Sequence, residues 1–400
     1  MVEVYSKALD STIEVGRFIG KIEKKTGPTV VIFGGIHGNE PAGVFALKEV
    51  FDQIESNQVN GTFYAIAGNL QALKKSQRFV FADLNRIWTE DKLKKLEQKT
   101  VLTDEEHEQF ELFEIIKKIF KNNKPPYYFI DIHTTSSKTL PFITINDALI
   151  NRKFSDYYPV PVVLGIEEHL NGPLLSYINS LGYLSLGFES GQHDKKAAIS
   201  NAVAFIYLTL VQTNLMSKDN IANYRIYFEQ LKGYARRLND VFEIIHLYRL
   251  QNGDTFKMLP NFESFQNIKK GTTLAVANGE TIEAPHSARI FMPLYQKKGQ
   301  EGFFIIRRIQ PFFLKLSELL RKQKADGLLV ILPGVSWHNR ENGTLQVNLK
   351  VARFMAKQLF HLLGFRSKDI NDAHLRLNNR ERVAKIDMYK NMKWYTRSES

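Results

Sequence analysis

Residues 29–43 constrain the fold of this chain most strongly, because an apolar run there leads directly into a glycine-rich turn. Residues 29–33 are mostly β-branched, which is typical of a parallel strand covered on both faces. The glycines that follow allow the backbone to turn sharply. Asn39 and Pro41 then predict a helix start, with the asparagine as cap and the proline in the first turn. The stretch therefore predicts the opening strand, turn and helix of an α/β sheet.

The turn carries two side chains that bind metals, His37 and Glu40, three residues apart. They follow the carboxyl end of a strand, which is where ligands bind in open α/β sheets. An imidazole and a carboxylate this close together can hold a Zn²⁺ ion if the fold supplies a third ligand.

The composition limits which classes of protein are possible. The 400 residues include no cysteine, so disulfides and thiolate metal sites are excluded, and a metal must rest on His, Asp or Glu. No apolar run approaches the roughly 20 residues that span a bilayer. Residues 1–20 carry acidic side chains where a signal peptide would be uncharged, so we expect a cytoplasmic protein.

The net charge of +12 raises the question of an anionic partner, such as nucleic acid, a membrane surface or a carboxylate-bearing substrate. Basic residues are spread along the chain, with mild concentrations near 117–124 and 366–397. We find no motif typical of nucleic-acid binding. We therefore interpret the charge as solvated surface and predict neither a nucleic-acid nor a membrane partner.

The first 240 residues alternate between helix-like and strand-like patterns. Apolar spacing predicts a helix over 40–56 and a strand over 62–67. A long polar insertion, 69–103, leads into another helix, which Pro125-Pro126 ends. We also predict strands at 127–132, 141–145, 160–165 and 183–188, and helices around 195–214 and 219–239. This pattern indicates an α/β domain over 1–240, with a mixed, mainly parallel sheet flanked by helices.

The pattern changes near residue 241 to short alternating runs separated by turn signals such as Asn278-Gly279. This change predicts a smaller β-rich domain over 241–310. The remaining residues, 311–400, are predicted to form a C-terminal α/β extension. We expect it to have helices near 312–325 and 346–363, a strand at 327–332 and a basic tail.

Three strand ends deliver polar groups: His37 with Glu40, Asp131 with His133, and Glu189. Two imidazoles and a carboxylate form a ligand set that catalytic zinc hydrolases use, with one coordination position left for water. A lone histidine is usually a surface or hydrogen-bonded core residue, and the residues alone leave both interpretations open. Asp131 either orients the neighbouring histidine or pairs with backbone or an arginine.

Four further residues suggest catalysis or substrate binding. If Glu189 faces the metal, it can take a proton from water and return it to a leaving amine; otherwise it caps a helix or forms an ion pair. The insertion contributes Arg78, Asn85 and Arg86, and arginine suits both carboxylates and developing oxyanions. Each of these three is alternatively a solvated loop residue.

Several motifs follow one another in a fixed order along the first half of the chain. They are Gly34-Gly35-Ile36-His37-Gly38-Asn39-Glu40, Asn69, Arg78, Asp83-Leu84-Asn85-Arg86, Asp131-Ile132-His133-Thr134-Thr135-Ser136 and Gly187-Phe188-Glu189. This ordered set resembles the succinylglutamate desuccinylase/aspartoacylase family of zinc carboxypeptidase-like hydrolases. The resemblance runs over roughly 30–195, and the β-rich segment 241–310 resembles the second domain of that family.

The resemblance implies a zinc-carboxypeptidase-like fold and one zinc ion per chain. It implies the following roles: His37, Glu40 and His133 as zinc ligands, Glu189 as general base, Arg78 as the group that polarises the scissile carbonyl, and Asn85 and Arg86 as the grip on a substrate carboxylate.

Two departures from the family pattern concern the substrate. The stretch 168–177 lacks the arginine that aspartoacylases use to bind a substrate carboxylate. Glu301-Gly302-Phe303-Phe304 stands approximately where their second-domain tyrosine is expected. N-acetylaspartate is therefore not the substrate we expect. Trp337–Arg340 is interpreted as a polar surface loop.

We predict a zinc-dependent amidohydrolase that removes the acyl group from an N-acyl amino acid or a related small carboxylate-bearing amide. Two alternatives stay open: a metallocarboxypeptidase acting on peptides, and a non-catalytic binding protein that keeps the metal. Retention of both Glu189 and Arg78 argues against a simple binder, which needs neither. The sequence leaves the acyl group and the amino acid undefined, and an oligomer stays possible.

Overall fold

The computed structural model describes residues 1–341, 343–348, 360–371 and 374–396. Its strands are β1 (Val2–Ser6), β2 (Ser11–Val15), β3 (Phe18–Ile22), β4 (Thr29–Gly34), β5 (Thr62–Ala67), β6 (Tyr127–Thr135), β7 (Phe142–Ile145), β8 (Val162–Leu164), β9 (Leu184–Gln192), β10 (Val241–Arg249), β11 (Phe256–Met258), β12 (Asn267–Ile268), β13 (Thr273–Ala277), β14 (Glu280–Glu283), β15 (Ala288–Phe291), β16 (Glu301–Arg308), β17 (Val335–Asn339), β18 (Thr344–Asn348), β19 (Phe365–Asn371) and β20 (His374–Asn379).

The helices are α1 (Ala42–Gln53), α2 (Leu70–Lys74), α3 (Glu90–Leu96), α4 (Asp104–Asn122), α5 (Leu149–Ser155), α6 (Ile166–His169), α7 (Leu174–Ser180), α8 (Lys196–Gln212), α9 (Tyr224–Tyr234), α10 (Pro311–Lys322), α11 (Arg380–Val383) and α12 (Lys393–Thr396). Among the described residues, no helix is long and apolar enough to cross a membrane.

An 11-stranded mixed sheet organises the molecule, in the order β12-β15-β16-β10-β8-β7-β9-β6-β4-β5-β3. Strands β5, β4, β6 and β9 run parallel at its centre. Every residue of β4, β5 and β6 is buried, as expected for parallel strands covered on both faces. The predicted α/β fold with a mixed sheet flanked by helices is confirmed.

Alternation along β4 sends its side chains into two separate cores. Val30 and Ile32 pack on the face that α1 and α8 cover. Val31 and Phe33 pack on the opposite face, against α4 and α7. Packing on both faces holds the strand, and with it the turn that follows, in place between the two cores.

The predicted strands and long helices of the first 240 residues are confirmed, but β6 and β9 are longer than predicted. They continue to Thr135 and Gln192, so His133 and Glu189 lie within strands and not after them. The insertion 69–103 contains two short helices that the apolar pattern did not indicate. Asn69 and Thr89 cap them through their side chains.

The β-rich segment is joined to the main sheet. Strand β10 pairs in parallel with β8 and antiparallel with β16, while β11, β13 and β14 form a separate three-stranded sheet. The domain bounds 1–240, 241–310 and 311–400 stay a prediction.

Two expectations for the C-terminal segment are wrong. Residues Ala325–Ile331 form a 3₁₀ helix and not a strand. The prediction failed because a short apolar run does not distinguish a buried helix from a strand. Most of the supposed surface loop Trp337–Arg340 belongs to β17, which pairs with β18. The predicted helix 346–363 begins within β18, and its residues 349–359 lie outside the described residues.

Candidate active site

The glycine-rich turn brings His37 and Glu40 to the centre of a cleft. Gly35 adopts φ +74°, and a Cβ on Gly38 would lie 2.0 Å from the carbonyl carbon of Ala72, so the turn needs glycine at both positions. The predicted asparagine cap is wrong: α1 starts after Pro41 without a side-chain cap. Asn39 instead donates to Gln296 Oε1 at 2.9 Å, because the turn points its side chain across the cleft.

His37, Glu40 and His133 form a buried cluster, which we call the metal trio. Their potential ligand atoms all lie within 4.8 Å of one another. His37 Nδ1 lies 2.9 Å from Glu40 Oε1, and His133 Nδ1 lies 3.0 Å from Glu40 Oε2. The parallel pairing of β4 with β6 accounts for this convergence, since it sets Gly34 beside Ile132.

A separate acid contacts the outer nitrogen of each imidazole. Asp83 Oδ1 lies 3.0 Å from His37 Nε2, and Asp131 Oδ2 lies 2.6 Å from His133 Nε2. When each Nε2 carries the proton, each Nδ1 lone pair faces Glu40. Asp131 can reach His133 because residues two apart on a strand share a face.

The metal trio fits a divalent ion such as zinc in donor type and spacing. Zinc–nitrogen bonds of about 2.0–2.1 Å in a tetrahedron separate ligand atoms by roughly 3.3 Å, close to the spacings between the imidazole nitrogens and the Glu40 oxygens. The acids behind the imidazoles are the partners that metal-bound histidines usually have.

The charges of the site support one another. Burial acts to raise the pKa of Glu40, but the facing His37 and His133 outweigh burial and hold that pKa well below its usual range. Burial acts to lower the pKa of His133, but Asp131 and Glu40 raise it well above its usual value. Glu40 is therefore an ionised carboxylate that favours positive charge beside it.

Glu189 lies beside the metal trio, because the β6/β9 register pairs it with His133. Its side chain is buried, and Glu189 Oε2 has no hydrogen-bond partner among the described residues. Burial raises the pKa of Glu189 to about 7, while the neighbouring His133 acts in the opposite direction. A carboxyl group of this kind can exchange protons near neutral pH.

Arg78 reaches the metal trio from the long insertion. It donates to Asp83 Oδ2 from Nε at 3.2 Å and from Nη2 at 3.0 Å, and its Nη1 lies 3.4 Å from Glu40 Oε1. Its carbonyl oxygen accepts from Gly38 N at 3.2 Å, which ties the insertion to the glycine-rich turn.

Asn85 and Arg86 line the same cleft. Asn85 Oδ1 accepts from Leu174 N at 2.9 Å, which fixes the amide in place. Arg86 donates to Glu301 Oε1 from Nη2 at 3.2 Å and from Nε at 3.4 Å, so an acid from β16 already faces this guanidinium.

All seven predicted site residues line this one cleft, which encloses about 1030 Å³ including the space at its mouth. Two acidic side chains that contact the predicted residues, Asp83 and Glu301, had no role assigned from the sequence. Both lie in stretches that the sequence analysis singled out: Asp83 in the motif with Asn85 and Arg86, and Glu301 where the second-domain tyrosine of the family is expected. The contact of Glu301 with Arg86 was not predicted, because the two residues are 215 positions apart along the chain.

Comparison with known proteins gives consistent matches. Residues 26–189 match the model of the succinylglutamate desuccinylase/aspartoacylase catalytic domain. A probable aspartoacylase from Acaryochloris marina is 29% identical over 162 residues, which are 38% of this chain and 52% of that protein. The chain therefore matches only about half the length of this curated relative.

Two solved structures share the fold. The succinylglutamate desuccinylase/aspartoacylase from Rhodobacter sphaeroides superposes with a TM-score of 0.54 at 14% identity, covering 72% of this chain and 88% of that one. The product-bound ectoine utilization protein from Ruegeria pomeroyi gives 0.53 at 15% identity, with 72% and 87% covered. At these identities the likeness establishes the fold alone.

Proposed function

We propose that this chain, whose residues 26–189 match the model of the succinylglutamate desuccinylase/aspartoacylase catalytic domain, is a zinc-dependent amidohydrolase. Its substrate would be an N-acyl amino acid or a related small amide that carries a carboxylate. One observation carries the proposal: Glu189 lies beside the buried metal trio, in a cleft that also contains Arg78.

His37, Glu40 and His133 would hold the zinc ion. When bound, zinc supplies Lewis-acid polarisation of the scissile carbonyl and lowers the pKa of water towards about 7. Asp83 and Asp131 would orient the two imidazoles by accepting from their outer nitrogens.

Glu189 would act as the general base and then as the general acid. It would remove a proton from the attacking water and deliver that proton to the departing amine. In the metal-free protein, burial raises the pKa of Glu189 to about 7, so its carboxyl group holds a proton more readily than an exposed glutamate does. Its buried position keeps bulk water away from the proton it carries.

Arg78 would donate to the oxygen that becomes negative as water adds to the carbonyl. Asp83 holds this guanidinium in place before reaction, so no reorganisation is needed when the charge develops. Asn85 and Arg86 would contact the substrate carboxylate, with Arg86 shared between that carboxylate and Glu301.

The first test is metal content combined with a base variant. Protein purified without chelator is expected to contain about one zinc per chain, by elemental analysis, because the trio offers one set of three ligands. Glu189→Gln should keep the zinc and lose at least about 10²-fold in kcat, since it removes the base without touching a ligand. A folded protein that neither contains nor binds zinc would contradict the assignment, as would a Glu189→Gln enzyme with full turnover.

A further inference from the structure

We propose that the cleft selects an uncharged acyl group longer than acetyl and rejects acyl groups that end in a carboxylate. This inference rests on the proposed amide hydrolysis and names its substrate class. It follows from a neutral arm of the cleft, lined by Thr144, Asn146, Leu175, Ser176, Ser185 and Gly187.

The neutral arm runs along β9, away from the metal trio. Ser185, Gly187 and Glu189 share one face of the strand because side chains alternate. The antiparallel register sets Thr144 directly opposite Gly187, so Thr144 lies on that face too. Glu189 and Ser185 both line the cleft and, at a rise of about 3.3 Å per residue, lie roughly 13 Å apart along the strand. An acetyl group is much shorter than this distance.

The floor of the neutral arm carries small side chains. A Cβ placed on Gly187 would lie 2.6 Å from Thr144 Oγ1 and 3.6 Å from Leu175 Cδ1, so these two side chains already occupy the space beside Gly187. The Ser185 hydroxyl donates to Leu175 O at 3.0 Å. The floor therefore presents small, neutral groups.

Two polar side chains of the neutral arm, Asn146 and Ser176, bond to each other. Asn146 Nδ2 donates to Ser176 Oγ at 3.2 Å, and the Ser176 hydroxyl lies 3.3 Å from Asn146 Oδ1. Both side chains are neutral, so this pair offers no counter-ion to a charged ligand. Nearby walls of the cleft, Leu170 and Phe304, are apolar.

No cation in the described lining of the cleft is free to serve the neutral arm. Among the described residues that line the cleft, lysine is absent and the guanidinium groups are Arg78 and Arg86. Asp83 engages the first and Glu301 the second. A substrate carboxylate can share Arg86 with Glu301. A second carboxylate, in the neutral arm, would lose its hydration without gaining a counter-ion, and it would lie near the acidic side chain of Glu189.

The test is a substrate series in which only the acyl group changes. Acetyl, butyryl, hexanoyl and succinyl derivatives of each common amino acid are assayed for kcat/KM with the zinc-loaded enzyme. For the best amino acid, kcat/KM of the butyryl or hexanoyl derivative should be about 10-fold higher than that of the acetyl derivative. It should be about 100-fold higher than that of the succinyl derivative, because a site discriminates against an unpaired buried polar group by factors of this size. Succinyl equal to or better than butyryl would overturn the inference and leave amide hydrolysis standing. Hydrolysis of no derivative would overturn the proposed function and this inference with it.

A charge added to the neutral arm tests its position. Ser176→Lys supplies a cation on α7, and Ser176→Gln is the matched neutral variant, since both lose the bond to Asn146. The succinyl-to-butyryl ratio of kcat/KM should rise at least about 10-fold in the lysine variant relative to the glutamine variant. Calorimetric binding of both compounds to the corresponding Glu189→Gln double variants gives the same comparison without turnover. Equal ratios in the two variants would place the acyl group outside the neutral arm.

Discussion

Each histidine of the metal trio contacts an acid of its own, and these acids carry a residue-scale prediction. Asp131→Asn keeps the size of the side chain that contacts His133 but removes its charge. We expect zinc affinity to fall about 10- to 100-fold, because the carboxylate fixes the imidazole and makes it a better donor. Chelator competition measures this affinity. Asp52→Asn, at an exposed position on α1, is the control, and equal affinities in the two variants would contradict the role of Asp131.

Glu189 makes the metal-free protein sensitive to pH. The folded pKa of Glu189, about 7, lies above its ordinary value of 4.5. The protonated side chain therefore contributes stability that is fully present below pH 4.5 and is lost as the pH rises through 7. Glu189→Gln mimics the protonated form. We expect the unfolding free energy of the variant, relative to that of the wild type, to be about 2–3 kcal/mol higher at about pH 8 than at about pH 5.

Denaturant unfolding of the two chelator-treated proteins measures this gain. Glu229→Gln, on the exposed part of α9, serves as the control and should show no comparable trend with pH. A constant difference between Glu189→Gln and the wild type at both pH values would show that Glu189 titrates normally.

At the scale of elements, the 78–86 segment depends on α4. Glu105, at the start of that helix, accepts from the backbone N–H groups of Val80, Phe81 and Ala82 at 2.6, 3.0 and 3.2 Å. Its side chain is fully buried. One carboxylate thus holds the turn that presents Arg78 and Arg86 to the cleft.

Glu105→Gln should release this segment. The buried amide places a donor where an acceptor oxygen now stands, so at least one backbone N–H of the segment loses its partner, at a cost of about 1–3 kcal/mol. We expect a lower melting temperature together with a lower kcat, since Arg78 loses its fixed position. Glu114→Gln, on the solvent side of α4, is the matched control. Loss of stability with unchanged kcat would mean that Arg78 does not depend on this anchor.

The elements differ in how far the sequence predicts them. Strand β4 was predictable because a buried parallel strand must be continuously apolar, and α4 because its apolar spacing is long. Helices α2 and α3 were missed because, at 5 and 7 residues, they are too short for an apolar spacing to repeat. The 3₁₀ helix at Ala325–Ile331 was taken for a strand because its apolar run is short.

The same distinction holds for the site. The metal trio could be predicted because His37 and His133 follow apolar runs and stand beside acids. The contact of Glu301 with Arg86 arises only from the fold of β16 over the cleft, so no local pattern indicates it. The neutral arm was equally hidden, because its floor depends on the antiparallel register of β7 with β9.

For the whole molecule, the C-terminal segment is part of the core. Trp394 is buried and donates from Nε1 to Tyr128 OH at 3.2 Å. The Tyr389 hydroxyl donates to Tyr127 O at 2.6 Å and accepts from Leu184 N at 3.0 Å. It therefore joins the first residues of β6 and β9, the strands that carry His133 and Glu189.

Tyr389→Phe tests this link. The variant leaves Tyr127 O and Leu184 N buried without their partner. We expect its free energy of unfolding to be about 1–3 kcal/mol lower than that of the wild type. Activity at low temperature should be kept, because the hydroxyl lies at the opposite ends of both strands from the site. Tyr234→Phe, at an exposed position, is the control. Equal melting temperatures for the two variants would show that the link contributes nothing.

The link that the Tyr389 hydroxyl makes to Tyr127 and Leu184 can form only late in synthesis. Tyr389 follows Tyr127 by 262 residues and Leu184 by 205 residues, so a ribosome working at about 5–20 residues per second needs roughly 10–40 s after Leu184 before the link can form. Every proposed catalytic and metal-binding side chain has left the ribosome well before then. A nascent chain thus presents every side chain of the proposed site before the hydroxyl that links the first residues of β6 and β9 is available, and during that interval the two strands are held together by their own parallel pairing.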